Sequence, residues 1–230
     1  MLQQPLPLYK TADKTFDDFI AENNEQTLHA IKEWSRGAGP WFVLIWGETG
    51  VGKSHLLQAA LREHMNAKSQ TMFVPLKLVR EMGPEILNEL GRLDAVGIDD
   101  VDQAVGNREW ESALFSLFNA LSENSAKLIV SATNNPRFGQ FSLPDLQSRL
   151  CSGLSYPLRD LDDEQKKQYL LNRAQKGDMA MPSQVADFIV THHGRNMHEL
   201  SALFEKLDTA TLSAGRALSI PFVKEVISTT

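Results

Sequence analysis

The chain has 230 residues, of which 42% are hydrophobic and 23% are charged, and its formal net charge is −6. This is the composition of a globular protein with one large domain, or with a large and a small one. The negative charge argues against a broad surface that neutralises phosphates, so we expect protein partners and no direct sequence-specific DNA binding. The longest apolar run, Trp41–Trp46, is too short to span a bilayer, which predicts no membrane segment.

The single cysteine, Cys151, excludes an internal disulfide. A chain with so little cysteine suits a reducing compartment, so we expect the protein to be cytoplasmic. No histidine or other base stands near Cys151 in a catalytic pattern, and we interpret it as a packing residue.

The first eight residues have neither a helical nor a strand period, because Pro5 and Pro7 favour an extended backbone. The segment also lacks the basic region of a signal peptide. Two interpretations stay open. The segment is either a frayed terminus or a short linear peptide that inserts Leu6 and Leu8 into a groove on another protein.

A helix is predicted at about 24–34, followed by a strand at 41–46 and a further helix that reaches about residue 65. Between that strand and the second helix lie Gly47, Glu48, Thr49, Gly50, Val51, Gly52, Lys53 and Ser54, which fit the phosphate-loop pattern G-x-x-x-x-G-K-[ST]. In such a loop, Lys53 would reach the β- and γ-phosphates and the Ser54 hydroxyl would hold Mg²⁺. The alternative is an ordinary glycine-rich turn. The strand–loop–helix context favours a nucleotide site.

Alternating strands and helices follow the phosphate loop. Strands are predicted at 71–74, 94–100, 127–133 and 154–158, and helices at 79–90 with a break at Gly83-Pro84, at 109–123 and at 142–150. This alternation predicts an α/β core with a parallel five-stranded sheet and helices on both faces.

Polar residues stand at the ends of two predicted strands. Asp99, followed by Asp100, occupies the place of a Walker-B carboxylate that binds Mg²⁺ through water. Two adjacent charged carboxylates are costly without a cation, although such a pair can also cap a turn. At the next strand exit, Asn134 can orient water or contact the γ-phosphate, but Asn135-Pro136 is equally a turn signal.

From about residue 158 only helices are predicted, at about 162–176, 182–194, 196–212 and 219–227. The chain therefore divides into a tail at 1–8, an α/β core at 9–157 and a small helical lid at 158–230. Three lid histidines, His192, His193 and His198, fall on different helices without cysteine or carboxylate partners, so we predict no zinc site.

Taken together, these motifs resemble the AAA+ module of the bacterial initiator DnaA. The resemblance rests on Gly47–Ser54, Ile98–Asp100, Leu143–Leu150 and Ile220–Glu225, and it covers nearly the whole chain from Phe16. The tail Gln3-Gln4-Pro5-Leu6-Pro7-Leu8 is similar to the clamp-binding peptide Q-x-x-L-P-L of the DnaA-related Hda regulators. The sequence stops soon after the lid, so the helix-turn-helix DNA-binding domain of DnaA is not expected. The chain is identified as a member of the DnaA/Hda family.

The resemblance implies a regulator rather than a motor. Gln3, Leu6, Pro7 and Leu8 would bind the sliding clamp, the β subunit of DNA polymerase III, and the AAA+ module would stimulate hydrolysis of ATP bound to DnaA. Spacing alone makes Arg149 a solvated residue or half of a surface ion pair. In the family pattern it matches the arginine finger, which acts in trans on a partner's phosphates.

The resemblance also implies that the chain's own pocket holds an adenine nucleotide with Mg²⁺. Beside the phosphate loop, the contacting residues would be Phe19, Ile20, Asp99, Asp100, Asn134 and His198. His198 replaces the family's sensor-2 arginine, and a neutral imidazole lacks the fixed charge of a guanidinium. We therefore expect ADP to be favoured over ATP, with weak hydrolysis by the isolated protein. Two alternatives stay open: an autonomous ATPase or helicase-loader-type remodeller, and a pure adaptor that uses its nucleotide only to hold its fold. Self-association into a homo-oligomer also stays open.

Overall fold

The computed structural model describes residues 14–65, 69–193 and 196–228. They form two compact units. The first contains residues 14–48 and the described part of 53–158, and the second contains 49–52 and the described part of 159–230. Within the described ranges, no helix is long and apolar enough to cross a membrane.

A five-stranded sheet forms the centre of the first unit. The strands are β1 (Phe42–Trp46), β2 (Thr71–Pro75), β3 (Ala95–Asp99), β4 (Lys127–Ala132) and β5 (Leu154–Pro157). Their order is β2-β3-β4-β1-β5 and every neighbouring pair is parallel, which confirms the predicted parallel sheet. The three central strands are almost entirely buried, whereas the edge strand β5 is mostly exposed. Burial on both faces explains why the central strands are continuous apolar runs.

Helices cover both faces of this sheet. They are α1 (Glu25–Ser35), α2 (Lys53–His64), α3 (Leu76–Val79), α4 (Arg108–Glu123) and α5 (Pro144–Ser152). Side chains of α4 and α5 share one apolar core with alternate residues of the central strands, such as Leu44 and Val130. On the other face α2 approaches β3 closely, because a Cβ atom on Gly97 would lie only 2.7 Å from the Leu61 Cδ1 atom.

The prediction of a helix at 79–90 is wrong. α3 ends at Val79 and is followed by three short 3-10 turns, at Arg80–Met82, Pro84–Leu87 and Leu90–Arg92. Gly83 has a φ of +92°, a left-handed backbone that no α-helix contains, and Pro84 provides no N–H for a helical hydrogen bond. The predicted break at this dipeptide therefore divides the whole segment.

The described part of the second unit is helical. Its helices are α6 (Asp163–Lys176), α7 (Ser183–His193), α8 (Met197–Ala214) and α9 (Ile220–Ser228). Apolar side chains from all four helices, including Leu170, Ile189, Phe204 and Val223, form one core. A capping box fixes the start of α6, because the side chains of Asp162 and Gln165 each accept a hydrogen bond from the other's backbone N–H at 2.9 Å.

Candidate functional site

The phosphate loop connects β1 to α2. Gly50 and Gly52 have φ angles of +93° and +98°, which residues other than glycine rarely adopt. Because α2 begins at Lys53, the first N–H groups of the helix have no intrahelical acceptor. Free N–H groups and the positive end of the helix dipole together favour an anion such as phosphate.

Lys53 provides a direct test of whether a phosphate fits here. Its side chain is buried, with 5% exposed, and its Nζ donates to the carbonyl oxygens of Gly47 at 2.7 Å and Glu48 at 3.0 Å. No carboxylate in the described part of the chain forms an ion pair with it. A buried ammonium whose described hydrogen bonds go to neutral carbonyl oxygens is costly, and a phosphate anion would relieve that cost. The residues of the loop therefore fit a nucleotide phosphate.

Asp99, the last residue of β3, is held in a defined orientation by Ser131 on β4. The Ser131 hydroxyl donates to the Asp99 Oδ1 atom at 2.5 Å and accepts from the backbone N–H of Asp100 at 2.9 Å. The parallel pairing of β3 and β4 brings these residues together across 32 positions of sequence. Ser131 was not predicted, since its only signal is its place near the carboxyl end of a buried strand.

Asp100 has a left-handed backbone, with φ +55° and ψ +54°. Burial raises the pKa of its carboxyl group, the negative charge of Asp99 raises it further, and Lys53 acts in the opposite direction. Two carboxyl groups beside one ammonium group form a site where a divalent cation would be stabilised.

A magnesium ion fits this edge of the sheet only together with a nucleotide. Among the residues that the structure describes, no group of three or more His, Cys, Asp or Glu side chains is arranged to hold a metal. Mg²⁺ usually retains water and takes one or two protein oxygens plus phosphate oxygens. Here Ser54, in the first turn of α2, and Asp99 would supply the protein oxygens. When bound, the ion would neutralise charge on the phosphate oxygens.

Asn134 lies at the same edge of the sheet as the phosphate loop. β4 pairs with β1, and the backbone N–H of Gly47 donates to the Ala132 carbonyl at 3.2 Å. The turn signal belongs to Asn135, whose Oδ1 accepts from the Arg137 N–H at 3.0 Å. The Asn134 side chain is exposed, so its role toward a phosphate stays a prediction.

Phe19 and Ile20, the predicted base contacts, lie half-buried before α1. The Phe19 ring centroid is 5.8 Å from that of His55, whose Nε2 atom lies 2.7 Å from the Thr15 carbonyl oxygen. His55 directly follows Ser54, so it holds the predicted base-contact segment beside the start of α2. Only this adjacency could have indicated His55 in the sequence.

Arg149 lies on α5 with an exposed side chain. Its Cζ atom is 5.9 Å from the ring centroid of Phe118 on α4, a cation–π contact. The surface ion pair that the sequence left open is not formed with any carboxylate in the described ranges. The guanidinium donors therefore face solvent and are available to a partner.

The interpretation of Cys151 as a packing residue is wrong. Cys151 is exposed, two residues beyond Arg149 on α5. The buried face of this helix is formed by Leu146 and Leu150, and Cys151 lies outside that face. Helical spacing, rather than residue type, decides its exposure.

The remaining predicted residues lie in the second unit or outside the described ranges. His198 is exposed in the first turn of α8. The predicted start of that helix is confirmed, because the Asn196 side chain accepts from the Glu199 N–H at 2.9 Å. Four of the predicted residues lie outside the described part of the chain, namely Gln3, Leu6, Pro7 and Leu8.

Known families match the two parts of the chain separately. The family of the bacterial DnaA ATPase domain matches residues 11–159, and the family of the Hda lid domain matches residues 163–227. An uncharacterised protein of Haemophilus influenzae is 36% identical over 227 residues, which is 98% of each chain.

Solved structures share the fold of the whole chain. Domain III of the replication initiation protein DnaA from Thermotoga maritima has a TM-score of 0.80 and 23% identity, and the match covers 96% of this chain and 98% of that one. AMPPCP-bound DnaA from Aquifex aeolicus has a TM-score of 0.72 and 21% identity, over 89% and 67% of the two chains.

The branch migration motor RuvB from Thermotoga maritima has the same fold, with a TM-score of 0.68 and 19% identity over 95% of this chain and 72% of that one. These likenesses confirm the predicted AAA+ fold with a helical lid. The ATPase-domain family matches well over half of the sequence, and the lid family accounts for most of the rest. The chain therefore belongs to the DnaA/Hda family of AAA+ proteins.

Proposed function

We propose that this protein is a negative regulator of replication initiation that stimulates hydrolysis of DnaA-bound ATP by supplying Arg149 to its partner's nucleotide site. The observation that carries the proposal is an exposed guanidinium without a described carboxylate partner, on α5 of a DnaA-type ATPase unit. The lid of the Hda type supports the same reading. An arginine supplied in trans stabilises charge on the transferring phosphoryl group and can raise the rate by about 10³ to 10⁵.

In this proposal the chain's own site holds an adenine nucleotide as a structural ligand. The buried Lys53 and the oriented Asp99 support a bound phosphate with Mg²⁺, and the related DnaA of Aquifex aeolicus was solved with AMPPCP. His198 stands where the family has its sensor-2 arginine, so recognition of a γ-phosphate is weak and ADP is favoured. The isolated protein would then hydrolyse ATP only slowly.

The N-terminal peptide would determine where in the cell the regulator acts. Gln3, Leu6, Pro7 and Leu8 fit the Q-x-x-L-P-L pattern and would dock in a groove of the DNA-loaded sliding clamp. The regulator would then meet DnaA in the cytoplasm only where a clamp has been loaded. Regulation of initiation would thereby follow DNA synthesis.

The decisive experiment compares Arg149→Ala with Arg92→Ala in an assay of ATP hydrolysis by DnaA in the presence of loaded clamp. Arg92 is a suitable control because its side chain is 82% exposed and forms only a surface ion pair with Glu89, at 2.9 Å. We expect Arg149→Ala to abolish stimulation while folding, nucleotide binding and clamp binding stay normal. Arg92→Ala should behave as wild type.

Full stimulation by the Arg149→Ala variant would reject the arginine-finger role. Rapid ATP turnover by the isolated wild-type protein, independent of clamp and DnaA, would instead favour an autonomous ATPase or helicase-loader-type remodeller. Both measurements use the same preparation, so the two functions are separated directly.

A further inference from the structure

We propose that Glu111 is the positioning residue that holds α5, and with it Arg149, in a single orientation. The inference rests on the proposed function of Arg149. One half of its test, however, measures α5 itself and needs no partner protein.

Glu111 is a fully buried carboxyl group, with 0% of the residue exposed, in the first turns of α4. It accepts three backbone hydrogen bonds. Its Oε1 atom accepts from the N–H groups of Gly106 at 2.8 Å and Ser142 at 3.0 Å, and its Oε2 atom accepts from the N–H of Leu143 at 2.6 Å. Both oxygens are therefore used, and a carboxylate is suited to this because it only accepts.

Two of these donors, Ser142 and Leu143, lie at the start of α5, so the contact connects α4 to α5. Leu143 is the N-cap residue of α5, and Arg149 lies on that helix six positions later. The carboxyl group thus lies at the N-terminal ends of two helices, α4 and α5, where the helix dipoles stabilise negative charge. A rigid link at this point fixes the start of α5 against the first turns of α4.

A second link holds α5 near its middle. The Gln147 Nε2 atom donates to the carbonyl oxygens of Pro136 at 2.9 Å and Gly139 at 2.9 Å, in the segment that follows β4. Gln147 precedes Arg149 by two residues. Together, Glu111 and Gln147 tie the helix that carries the guanidinium to α4 and to the segment that follows β4.

Fixed orientation matters because catalysis in trans depends on placement. An arginine that must meet developing charge on a phosphoryl group loses its effect when displaced, and a misplacement of about 1 Å can cost on the order of 100-fold in rate. A carboxylate that accepts three backbone N–H groups resists such displacement. Glu111 would therefore act on the reaction only through Arg149, without touching the nucleotide.

The test uses Glu111→Gln, which keeps the shape of the side chain but replaces one acceptor oxygen by an NH₂ group. At least one buried backbone N–H then faces another donor, and the start of α5 is released. The matched control is Glu109→Gln, which makes the same charge change on the same helix at an exposed side chain.

The first readout is the mobility of α5. Cys151 is the only cysteine of the chain, and it is exposed on α5, two residues after Arg149. A nitroxide spin label on Cys151 therefore reports the motion of this helix by electron paramagnetic resonance. We expect a more mobile label in Glu111→Gln and an unchanged spectrum in Glu109→Gln.

The second readout is the maximal rate of DnaA ATP hydrolysis at saturating regulator, measured at a temperature where every variant is fully folded. We expect Glu111→Gln to lower this rate on the order of tenfold to 100-fold. The half-saturating concentration and the affinity of the chain's own nucleotide should change little. A side chain that only stabilises the fold would leave the maximal rate of the folded protein intact.

An immobile label or an unchanged maximal rate in Glu111→Gln overturns the inference. If Glu111→Gln does not fold, Glu111→Asp gives the same two readouts, because it keeps the charge but is one methylene too short to reach all three donors. If Arg149→Ala keeps full stimulation, the proposed function fails instead. The label on Cys151 then still decides whether Glu111 holds α5.

Discussion

Asp100 occupies an environment that disfavours its own charge. Burial and the neighbouring Asp99 raise its pKa above the ordinary value of 3.8, and Lys53 and Lys77 offset this only in part. Because the folded state binds the proton more tightly than the unfolded chain, stability falls as the pH rises from 3.8 through the higher pKa of the folded state. Below 3.8 both states are protonated and the cost disappears.

Asp100→Asn should therefore raise the free energy of unfolding at pH 7, and the gain should shrink as the pH falls toward 3.8. Asparagine accepts the left-handed backbone at this position, so no strain is added. Urea denaturation at a series of pH values measures the effect. Asp178→Asn is the control, since Asp178 is exposed and has a similar φ of +53°. The same pH dependence in both variants would contradict the assignment.

His198 tests the nucleotide preference of the chain's own site. His198→Arg restores a fixed positive charge, and a hydrogen bond to a charged group contributes about 1.5–3 kcal/mol. We expect ATP to bind at least about tenfold more tightly while ADP binding changes little. Titration with fluorescent ATP and ADP analogues measures both affinities. His29→Arg, on the exposed side of α1, is the control, and an equal gain for the two nucleotides would rule out γ-phosphate sensing.

The close approach of α2 to β3 is possible because Gly97 has no side chain. In Gly97→Ala the new Cβ atom would lie 2.7 Å from the Cδ1 atom of Leu61, a side chain that is itself 1% exposed. We expect a loss of about 1–3 kcal/mol in the free energy of unfolding, because Leu61 has little room to move. Chemical denaturation measures the loss.

Two further variants decide whether crowding is the cause. Gly177→Ala is the control, since its Cβ atom would lie 3.6 Å from the Arg173 carbonyl oxygen, an ordinary contact distance, and its φ is −92°. We therefore expect a change within about 0.5 kcal/mol. Combining Gly97→Ala with Leu61→Val should cost less than the sum of the two single changes. Strict additivity would show that the two side chains do not compete for space.

How much of this structure could be predicted depends on how local each cause is. The central strands and the phosphate loop are specified by contiguous residues, so apolar runs and glycine spacing predict them. The residues after α3 form no α-helix, because the left-handed backbone of Gly83 and the missing N–H of Pro84 also prevent the neighbouring residues from forming one. Ser131 contacts Asp99, and Glu111 contacts Leu143, in each case across 32 positions of sequence. No local pattern identifies such partners.

Glu111 did leave one trace in the sequence. It follows Trp110 and precedes Leu114 by three residues, so it lies on the buried face of an amphipathic helix. A carboxyl group on such a face must be hydrogen-bonded, and this requirement predicts partners without naming them. Only the structure identifies those partners as the backbone at the start of α5.

In the proposed regulator, different parts of the molecule would carry out recruitment to the clamp and stimulation of ATP hydrolysis. The N-terminal peptide would bring the protein to the clamp, and Arg149 would act on the nucleotide of DnaA. Tethering raises effective concentration without adding a catalytic contact, and such avidity commonly amounts to about 10²- to 10⁴-fold. Loss of the tether and loss of the arginine should therefore have different concentration dependences.

We expect the double change Leu6→Ala and Leu8→Ala to abolish clamp binding in a pull-down and to raise the regulator concentration needed for half-maximal stimulation by about 10²-fold or more. At high concentration the maximal rate should return to that of wild type, because Arg149 is intact. Arg149→Ala should show the opposite behaviour, with normal clamp binding and no recovery at any concentration. Leu2→Ala, in the same tail but outside the Q-x-x-L-P-L pattern, is the control. If the double variant failed to recover at saturation, the clamp peptide would have a part in the catalytic step, and recruitment and chemistry would not be separate.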